Sequence, residues 1–286
     1  MENTEKNKVE ASTLYLVATP IGNLADISER AKKVLSEVDF VAAEDTRNTA
    51  RLFSAYGIRR ELISYHEHNR AKSGKIIIQR LLSGESCALV TDAGMPAVSD
   101  PGEDIVRLAY ESGVAVSIVP GACAAVSALA LSGLSTSRFA FEGFLPVKES
   151  ERKSRLKELV TDTHTLIFYE APHRLRQTLA DMREAFGKDR KISLCRELTK
   201  LNEEIERLTL AEAVEVYASK EPRGEYVLVI EGASRSSCVD SELLSLTPEE
   251  HVAHYEGEGL SHMDAIKAAA RDRGMKKNEL YKMLVE

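Results

Sequence analysis

The stretch that most constrains this chain runs from Cys87 to Gly102. There an apolar segment, Cys87-Ala88-Leu89-Val90, feeds straight into Thr91-Asp92-Ala93-Gly94-Met95-Pro96-Ala97-Val98-Ser99-Asp100-Pro101-Gly102. It reads as a strand, a rigid loop and a helix: Ile105, Val106, Leu108 and Ala109 fall on one helical face, and Pro101 and Gly102 stand where a new helix tolerates a missing N–H and a close backbone. A loop at the carboxyl end of a strand is where an open α/β sheet binds its ligand. The glycines, prolines and aspartates of this loop predict a backbone held in shape, with Asp92 aimed at a polar ligand group. A tight structural turn is the competing reading of this stretch taken alone.

At 286 residues the chain is long for one core, and domains of roughly 100–200 residues imply two, with an appendage. With 43% hydrophobic and 29% charged residues the composition is that of a soluble globular protein, and no window approaches the roughly 18 apolar residues of a membrane span. The first eleven residues, polar and charged, read as a disordered tail without the apolar core of a secretion signal. Cys87, Cys123, Cys195 and Cys238 have no metal-type spacing, and three of them lie in apolar runs, which fits a reducing cytoplasm. The net charge of −7 argues against indiscriminate nucleic-acid binding. The charge is uneven, however: Arg47, Arg51, Arg59, Arg60, Arg70, Lys72, Lys75 and Arg80 face only Glu61 and Glu67 between residues 46 and 80, a candidate phosphate-binding surface.

Taken in order, Leu14–Thr19 is a near-continuous apolar strand that ends in Pro20-Ile21-Gly22-Asn23-Leu24. Asp26 and Glu29 have capping-box spacing ahead of a helical face at Ala31, Val34, Leu35 and Val38. Asp39–Ala43 delivers Glu44-Asp45-Thr46-Arg47 at its carboxyl end, a cluster poorly explained by packing. Strands near 62–65 and 87–91 with a helix between them keep the alternation of a parallel sheet. Tyr65-His66-Glu67-His68-Asn69-Arg70 then places polar groups where such sheets hold ligands. Alternate residues of an extended segment point to opposite faces, which disfavours a metal site at His66 and His68 and favours acid–base or ribose and phosphate contacts. Val114–Val119 runs into Pro120-Gly121-Ala122-Cys123-Ala124-Ala125, a small-residue loop that opens a nearly all-apolar helix through Leu131.

Three loops at strand ends of one half, Thr19-Pro20-Ile21-Gly22, Thr91-Asp92-Ala93-Gly94-Met95-Pro96 and Val119-Pro120-Gly121-Ala122, together resemble the first domain of the tetrapyrrole (corrin/porphyrin) methylase superfamily. Within it, Val17–Leu24, Ala43-Glu44-Asp45-Thr46-Arg47 and Tyr65-His66-Glu67-His68-Asn69 look like the branch that methylates ribosomal RNA. No G-x-G-x-x-G follows a strand, so this is not the usual Rossmann-type pattern. The pattern restarts at Arg138–Pro146. Two further charged clusters end strands, Glu170-Ala171-Pro172-His173-Arg174 after 165–169 and Arg196-Glu197-Leu198-Thr199-Lys200 after 191–195, with helices near 150–160 and 173–186. Arg223-Gly224-Glu225-Tyr226 leads into the apolar strand Val227–Ile230, and Ser234–Ser237 is linker-like. Beyond it, Thr247-Pro248-Glu249-Glu250 and Ser261-His262-Met263-Asp264 are N-cap signatures, and Gly274 separates two short helices. From 265 to 286 six Lys or Arg face three acids, which suits RNA phosphate or dimer packing equally.

The fold expected is α/β, a two-domain tetrapyrrole-methylase-like arrangement: an N-terminal α/β domain at 12–134, a C-terminal α/β domain at 138–233 and a helix-turn-helix-like appendage at 240–286. The resemblance implies S-adenosylmethionine as cofactor, bound in a cleft between the two α/β domains, no metal, and methylation of a cytidine 2′-hydroxyl in the decoding region of 16S rRNA within the small ribosomal subunit, by a cytoplasmic homodimer with no membrane association. It implies cofactor contacts from Pro20, Gly22, Asp92, Met95, Cys123 and Ala124, with Phe144, Tyr169, Glu170 and Leu198 closing from the second domain. Candidate proton acceptors are Asp45, His66, Glu67, His68 and Glu170, and candidate RNA contacts are Arg47, Asn69, Arg70, His173, Arg174, Arg196 and Lys200. Competing readings are a porphyrinoid or corrinoid methylase, which the basic 46–80 segment and the appendage disfavour, and a non-catalytic RNA-binding assembly factor.

Overall fold

The structure is a computed structural model that describes residues 8–234, 243 and 245–285. Residues 1–7 of the expected tail, Arg235–Ser237 of the linker-like stretch, Cys238 and positions 240–242 lie outside the described residues. The chain packs as two compact units: the first runs to Leu131 and takes in residues 195–205 and 224–227, and the second comprises 132–194, 206–223 and the chain from 228 onward.

The first unit is built on strands β1 (Thr13–Val17), β2 (Phe40–Ala43), β3 (Glu61–Ser64), β4 (Cys87–Val90) and β5 (Ala115–Val119), in the order β3-β2-β4-β1-β5. All four pairings are parallel, with Leu14 opposite Cys87 and Val116, and Phe40 opposite Cys87 and Glu61. Helices α1 (Glu29–Glu37), α2 (Thr46–Tyr56), α3 (Arg70–Leu82), α4 (Glu103–Glu111) and α5 (Ala124–Ser132) alternate with the strands. Strand side chains divide by the two-residue period. Tyr15, Val17, Val41, Ala43, Ala88 and Val90 pack with α1 and α2, whereas Leu14, Phe40, Ala42, Cys87 and Leu89 pack with α3 and α4. Both faces of the sheet are therefore covered, which explains strands that read as continuous apolar runs. The chain leaves β1 over the α1 face toward β2 and leaves the adjacent β4 over the α4 face toward β5. Their carboxyl ends flank the topological switch point where open α/β sheets hold ligands.

One local expectation is corrected. The cap of α1 is Ser28, whose Oγ accepts the Ala31 N–H at 3.1 Å, and Asp26 lies in a preceding 3-10 turn over Leu24–Asp26 that Asn23 caps. With Ser28 as cap the helix starts two residues later than an Asp26 cap would set it, and the donor satisfied is the Ala31 N–H.

The second sheet comprises β6 (Phe139–Phe144), β7 (Thr165–Glu170), β8 (Lys191–Arg196), β9 (Glu204–Thr209) and β10 (Tyr226–Ile230), ordered β6-β7-β10-β8-β9, of which residues 195–196, 204–205 and 226–227 belong to the first unit. Helices α6 (Glu149–Glu158), α7 (Leu175–Phe186) and α8 (Leu210–Ser219) connect them. Strand β9 and helix α8 add to the elements expected from the sequence. Edge strand β9 is half-buried and carries charged residues between Ile205 and Leu208, which breaks the two-residue alternation. At the C-terminus α9 (Pro248–Gly257), α10 (His262–Asp272) and α11 (Lys277–Val285) share a core of Val252, Ala265, Ile266, Ala269, Ala270 and Leu280. Thr247 and Glu250 close a capping box, Ser261 caps α10, and Gly274 turns the chain at φ +66°. No described helix is long and apolar enough to cross a membrane.

Candidate functional site

The strand-end loops of the first unit are knitted into one platform. The Thr19 N–H donates to the Gly94 carbonyl at 2.9 Å, and the Gly94 N–H returns to the Thr19 carbonyl at 3.1 Å. The Thr19 hydroxyl also donates to the Thr91 carbonyl at 3.1 Å. Gly94 has φ +83°, a conformation that favours glycine. At Gly121 a side chain is excluded, because its Cβ would sit 2.8 Å from the Ala18 Cβ. Pro20 is buried, and Met95, Cys123 and Ala124 are half-buried around the platform, with α5 starting at Ala124 directly beyond the Pro120-Gly121 turn. A helix that begins in small residues leaves its first N–H groups open to a ligand.

A second segment closes on the same platform from within the first unit. A Cβ on Gly22 would stand 2.4 Å from Lys200 Cγ and 3.0 Å from the Leu198 carbonyl, and the Asn23 N–H donates to Thr199 Oγ1 at 3.1 Å. Leu198 is buried there, so Arg196, Leu198 and Lys200 belong to the first unit. Besides Ser12 before β1, the non-glycine residues with left-handed backbone among the described residues all lie in these loops: Ala97 (φ 66°), Ser99 (φ 68°), Glu197 (φ 51°) and Thr199 (φ 65°). Such conformations cost on the order of 1–3 kcal/mol each and gather at ligand sites. Nothing in the sequence signals them, since glycine or asparagine would have been the clue.

Carboxylates dominate the site. Asp92 is exposed, and its Oδ2 accepts from Asn48 Nδ2 at 2.8 Å; its N–H faces Glu44 Oε2 at 3.5 Å. Burial pushes the Glu44 carboxyl up, and the nearby Asp92 charge adds to that rise against the opposing Asp92 N–H. Asp100 is pushed up to about 6, first by burial and then by Glu44 and Asp92. Asp45 behaves differently. It caps α2, accepting the Arg47 N–H at 2.8 Å, and grips the Arg47 guanidinium at 3.1 and 2.7 Å, so its carboxyl lies far below the usual range. Glu44, Asp92 and Asp100 crowd their negative charge at one strand end, an environment that suits a cationic ligand and repels an anionic one. A sulfonium ion with an ammonium group has that chemistry. Among the described residues no group of three or more His, Cys, Asp or Glu is placed to hold a metal ion.

At the end of β3, Tyr65 is buried and donates its hydroxyl to Asp104 Oδ1 at 2.6 Å, and burial followed by that bond pushes the phenol up. His66 is half-buried and its Nδ1 is enclosed without a hydrogen-bond partner, while the ring meets His68 edge-on at 5.9 Å. Asn69 holds the turn, accepting the His66 N–H at 2.9 Å and donating to the Ser64 carbonyl. Glu67 and His68 are exposed, and Arg70 reaches Asp104 at 3.8 Å.

In the second unit, a bulge between Phe141 and Gly143 shifts the β6 register so that Phe144 stands opposite Tyr169. Phe144 is exposed and packs edge-on against Tyr169 at 5.6 Å. Glu170 is buried and fully bonded, to Thr178 Oγ1 at 2.5 Å, to the Ala171 N–H at 2.9 Å and to Arg174 at 3.5 Å. Arg174 also donates to the Leu145 carbonyl at 2.8 Å, and His173 is exposed. In the first unit Arg196 pairs with Glu204 at 3.0 Å, and Lys200 with Glu197 and Glu225 at 2.9 and 2.8 Å. Arg174 and Lys200 thus pair with acids of their own clusters, Glu170 and Glu197, whereas Glu204 and Glu225 lie outside them.

Residues 13–214 match the profile of the family described as Tetrapyrrole (Corrin/Porphyrin) Methylases. The chain is 47% identical over 283 residues to the ribosomal RNA small subunit methyltransferase I of Halalkalibacterium halodurans, covering 98% of this chain and 97% of that protein. To the protein of the same name from Bacillus subtilis it is 46% identical over 96% of this chain and 94% of the relative, and to that of Pseudomonas aeruginosa 52% identical over 78% and 80%. Among solved structures, a cobalt precorrin-4 methyltransferase of cobalamin biosynthesis superposes with TM-score 0.57 at 17% identity, over 77% of this chain and 95% of that one. The methyltransferase CobJ gives TM-score 0.59 at 19% identity, over 77% and 94%. Those two likenesses concern the fold.

Proposed function

The chain belongs to the tetrapyrrole (corrin/porphyrin) methylase family, and on that premise we propose that it methylates the 2′-hydroxyl of a cytidine in the decoding region of 16S rRNA, in the assembled small ribosomal subunit. It is a methyltransferase of ribosomal RNA and uses S-adenosylmethionine as methyl donor. The observation that carries the RNA reading is the near end-to-end likeness to relatives named for that reaction, since the fold alone fits a macrocycle methylase equally well.

Bound S-adenosylmethionine supplies an electrophilic methyl carbon on a cationic sulfonium. The loops around Thr19, Gly94 and Gly121 form the rigid floor for it, with Pro20, Gly22, Met95, Leu198, Cys123 and Ala124 as its lining and Asp92 as its polar anchor. Glu44 and Asp100 favour a cation there by field alone. For the proton released by the ribose hydroxyl, Asp45 is a poor acceptor, being held as a carboxylate by Arg47 and the α2 N-terminus. Glu170 has every oxygen engaged. We assign the task to His66, which lies near Glu44 and whose enclosed Nδ1 has no hydrogen-bond partner, so that the ring must turn to present it to the ribose hydroxyl. Positioning the acceptor hydroxyl in line with the methyl carbon contributes about 7–11 kcal/mol in well-oriented reactions, so the platform carries more of the rate than the base.

The edge strand β5 exposes Val116 and Ile118, and α5 exposes Val126 and Leu131. An uncovered apolar sheet edge supports a homodimer. A ribosomal RNA substrate supports a cytoplasmic location. Deleting the gene tests the reading: small-subunit rRNA from the deletion strain loses one alkali-resistant linkage at a cytidine and regains it with the wild-type chain. An unchanged hydrolysis ladder would contradict it.

A further inference from the structure

A cavity of about 230 Å³ opens in the first unit between α3 and α4, beside the Tyr65–Asp104 hydrogen bond. Gly74 forms part of its floor, buried in the middle of α3 and with no left-handed backbone to require a glycine. A Cβ at this position would meet only Leu108 Cδ2 at 3.7 Å and Tyr65 Cε2 at 3.9 Å, ordinary van der Waals distances. Packing therefore admits an alanine, which would also make the better helix. The missing side chain keeps the space open.

The rim carries three cations against two acids, Asp104, which pairs with Arg70, and Glu111. Arg70, Lys75 and Arg107 line the cavity, and neither Lys75 nor Arg107 has an ion-pair partner among the described residues. This sets Lys75 apart from Arg47 and Arg80 of the same basic stretch, which carboxylates neutralise. The walls from Ile105 and Leu108 are apolar. The volume falls below the roughly 300–1,000 Å³ of pockets that enclose a whole small-molecule ligand, and suits one unit of a longer strand.

We propose that this cavity holds one nucleotide of the RNA strand flanking the methylated one, its base against Gly74, Ile105 and Leu108 and its phosphate between Lys75 and Arg107. The inference rests on RNA being the substrate. Tyr65 and Asp104, which wall the cavity, join the end of β3 to the start of α4, the two elements that also carry His66 and the Asp92 loop. A nucleotide seated there fixes the strand beside the site.

The test measures methyl transfer to assembled small subunits by the full chain and its variants, with S-adenosylmethionine affinity read by calorimetry. Gly74→Ala raises the unfolding temperature by about 1–3 °C. Gly74→Met, which fills the cavity, raises KM for subunits about tenfold or more, with cofactor affinity unchanged. Lys75→Glu with Arg107→Glu raises KM and lowers the slope of log affinity against log salt by about one to two. A photoreactive p-benzoylphenylalanine replacing Glu111 cross-links to rRNA. A destabilised Gly74→Ala, a KM and salt slope unmoved by the charge reversal, or a cross-link to a ribosomal protein would overturn the proposal. If the wild-type chain itself transfers nothing to the subunits, the RNA reading fails first; if it does and the variants match it, only the pocket fails.

Discussion

Asp92 and Asp100 bracket one loop and do different work in it. Asp92 is exposed and its Oδ2 is held by Asn48, and its other oxygen is the proposed anchor for the cofactor. Replacing it by Ala should weaken S-adenosylmethionine binding by at least about a hundredfold, the effect of removing a charge-assisted hydrogen bond at about 3 kcal/mol. RNA affinity should hardly change, and intact cofactor affinity on calorimetry would contradict the assignment. Asp100 titrates near 6 in the folded chain against an ordinary value of 3.8. Between those values the folded protein keeps a proton that the unfolded chain has released, so stability falls as pH rises from about 4 to 6 and levels off above about 7. A cationic cofactor reverses the preference, and its affinity should climb through the same window. Asp100→Asn should flatten both profiles; an unaltered pH dependence of cofactor affinity would exclude Asp100 as its source. His66→Asn should lower kcat by about a hundredfold with little change in cofactor affinity, in the range of a lost general base, and an unchanged kcat would send the proton elsewhere.

Elements bring these residues together because parallel strands of similar length end at one edge. That edge was legible in the sequence: apolar runs closing on Pro20, Asp92 and Pro120 predict strand-end loops, and each one lies where the carboxyl ends of β1, β4 and β5 meet. The interlock of the loops was not legible, because the Thr19–Gly94 bridge joins residues far apart in sequence. Nor was the left-handed backbone at Ala97, Ser99, Glu197 and Thr199, which tertiary packing imposes on residues with no propensity for it. Arg174 and Lys200 are tied to Glu170 and Glu197, neighbours within their own sequence clusters, whereas the pairing of Arg196 with Glu204 and of Lys200 with Glu225 emerges only in the fold. Gly121→Ala tests the interlock. Its Cβ meets the Ala18 Cβ, so the β1 and β5 ends must part, at a cost of about 1–3 kcal/mol and with weaker cofactor binding. An alanine variant with wild-type melting temperature and affinity would mean that the loops tolerate separation.

On the scale of the whole molecule, a net charge of −7 coexists with an RNA substrate because the charges are sorted. Acids gather at the carboxyl end of the first sheet, the proposed place of the cationic cofactor, and unpaired cations lie on α3 and α4. The C-terminal helices close a small core of their own around Ile266 and Leu280, and their capping signals were readable in the sequence to within a residue or two because caps are local chemistry. The account stands on the identity of the methyl acceptor. Incubating the purified chain with S-adenosylmethionine labelled in the methyl group and small ribosomal subunits from a strain lacking the enzyme, then digesting the rRNA for nucleoside mass spectrometry, reads it directly. Label in 2′-O-methylcytidine of 16S rRNA is the predicted result, and label in another nucleoside, or none while cofactor binding is retained, would contradict it.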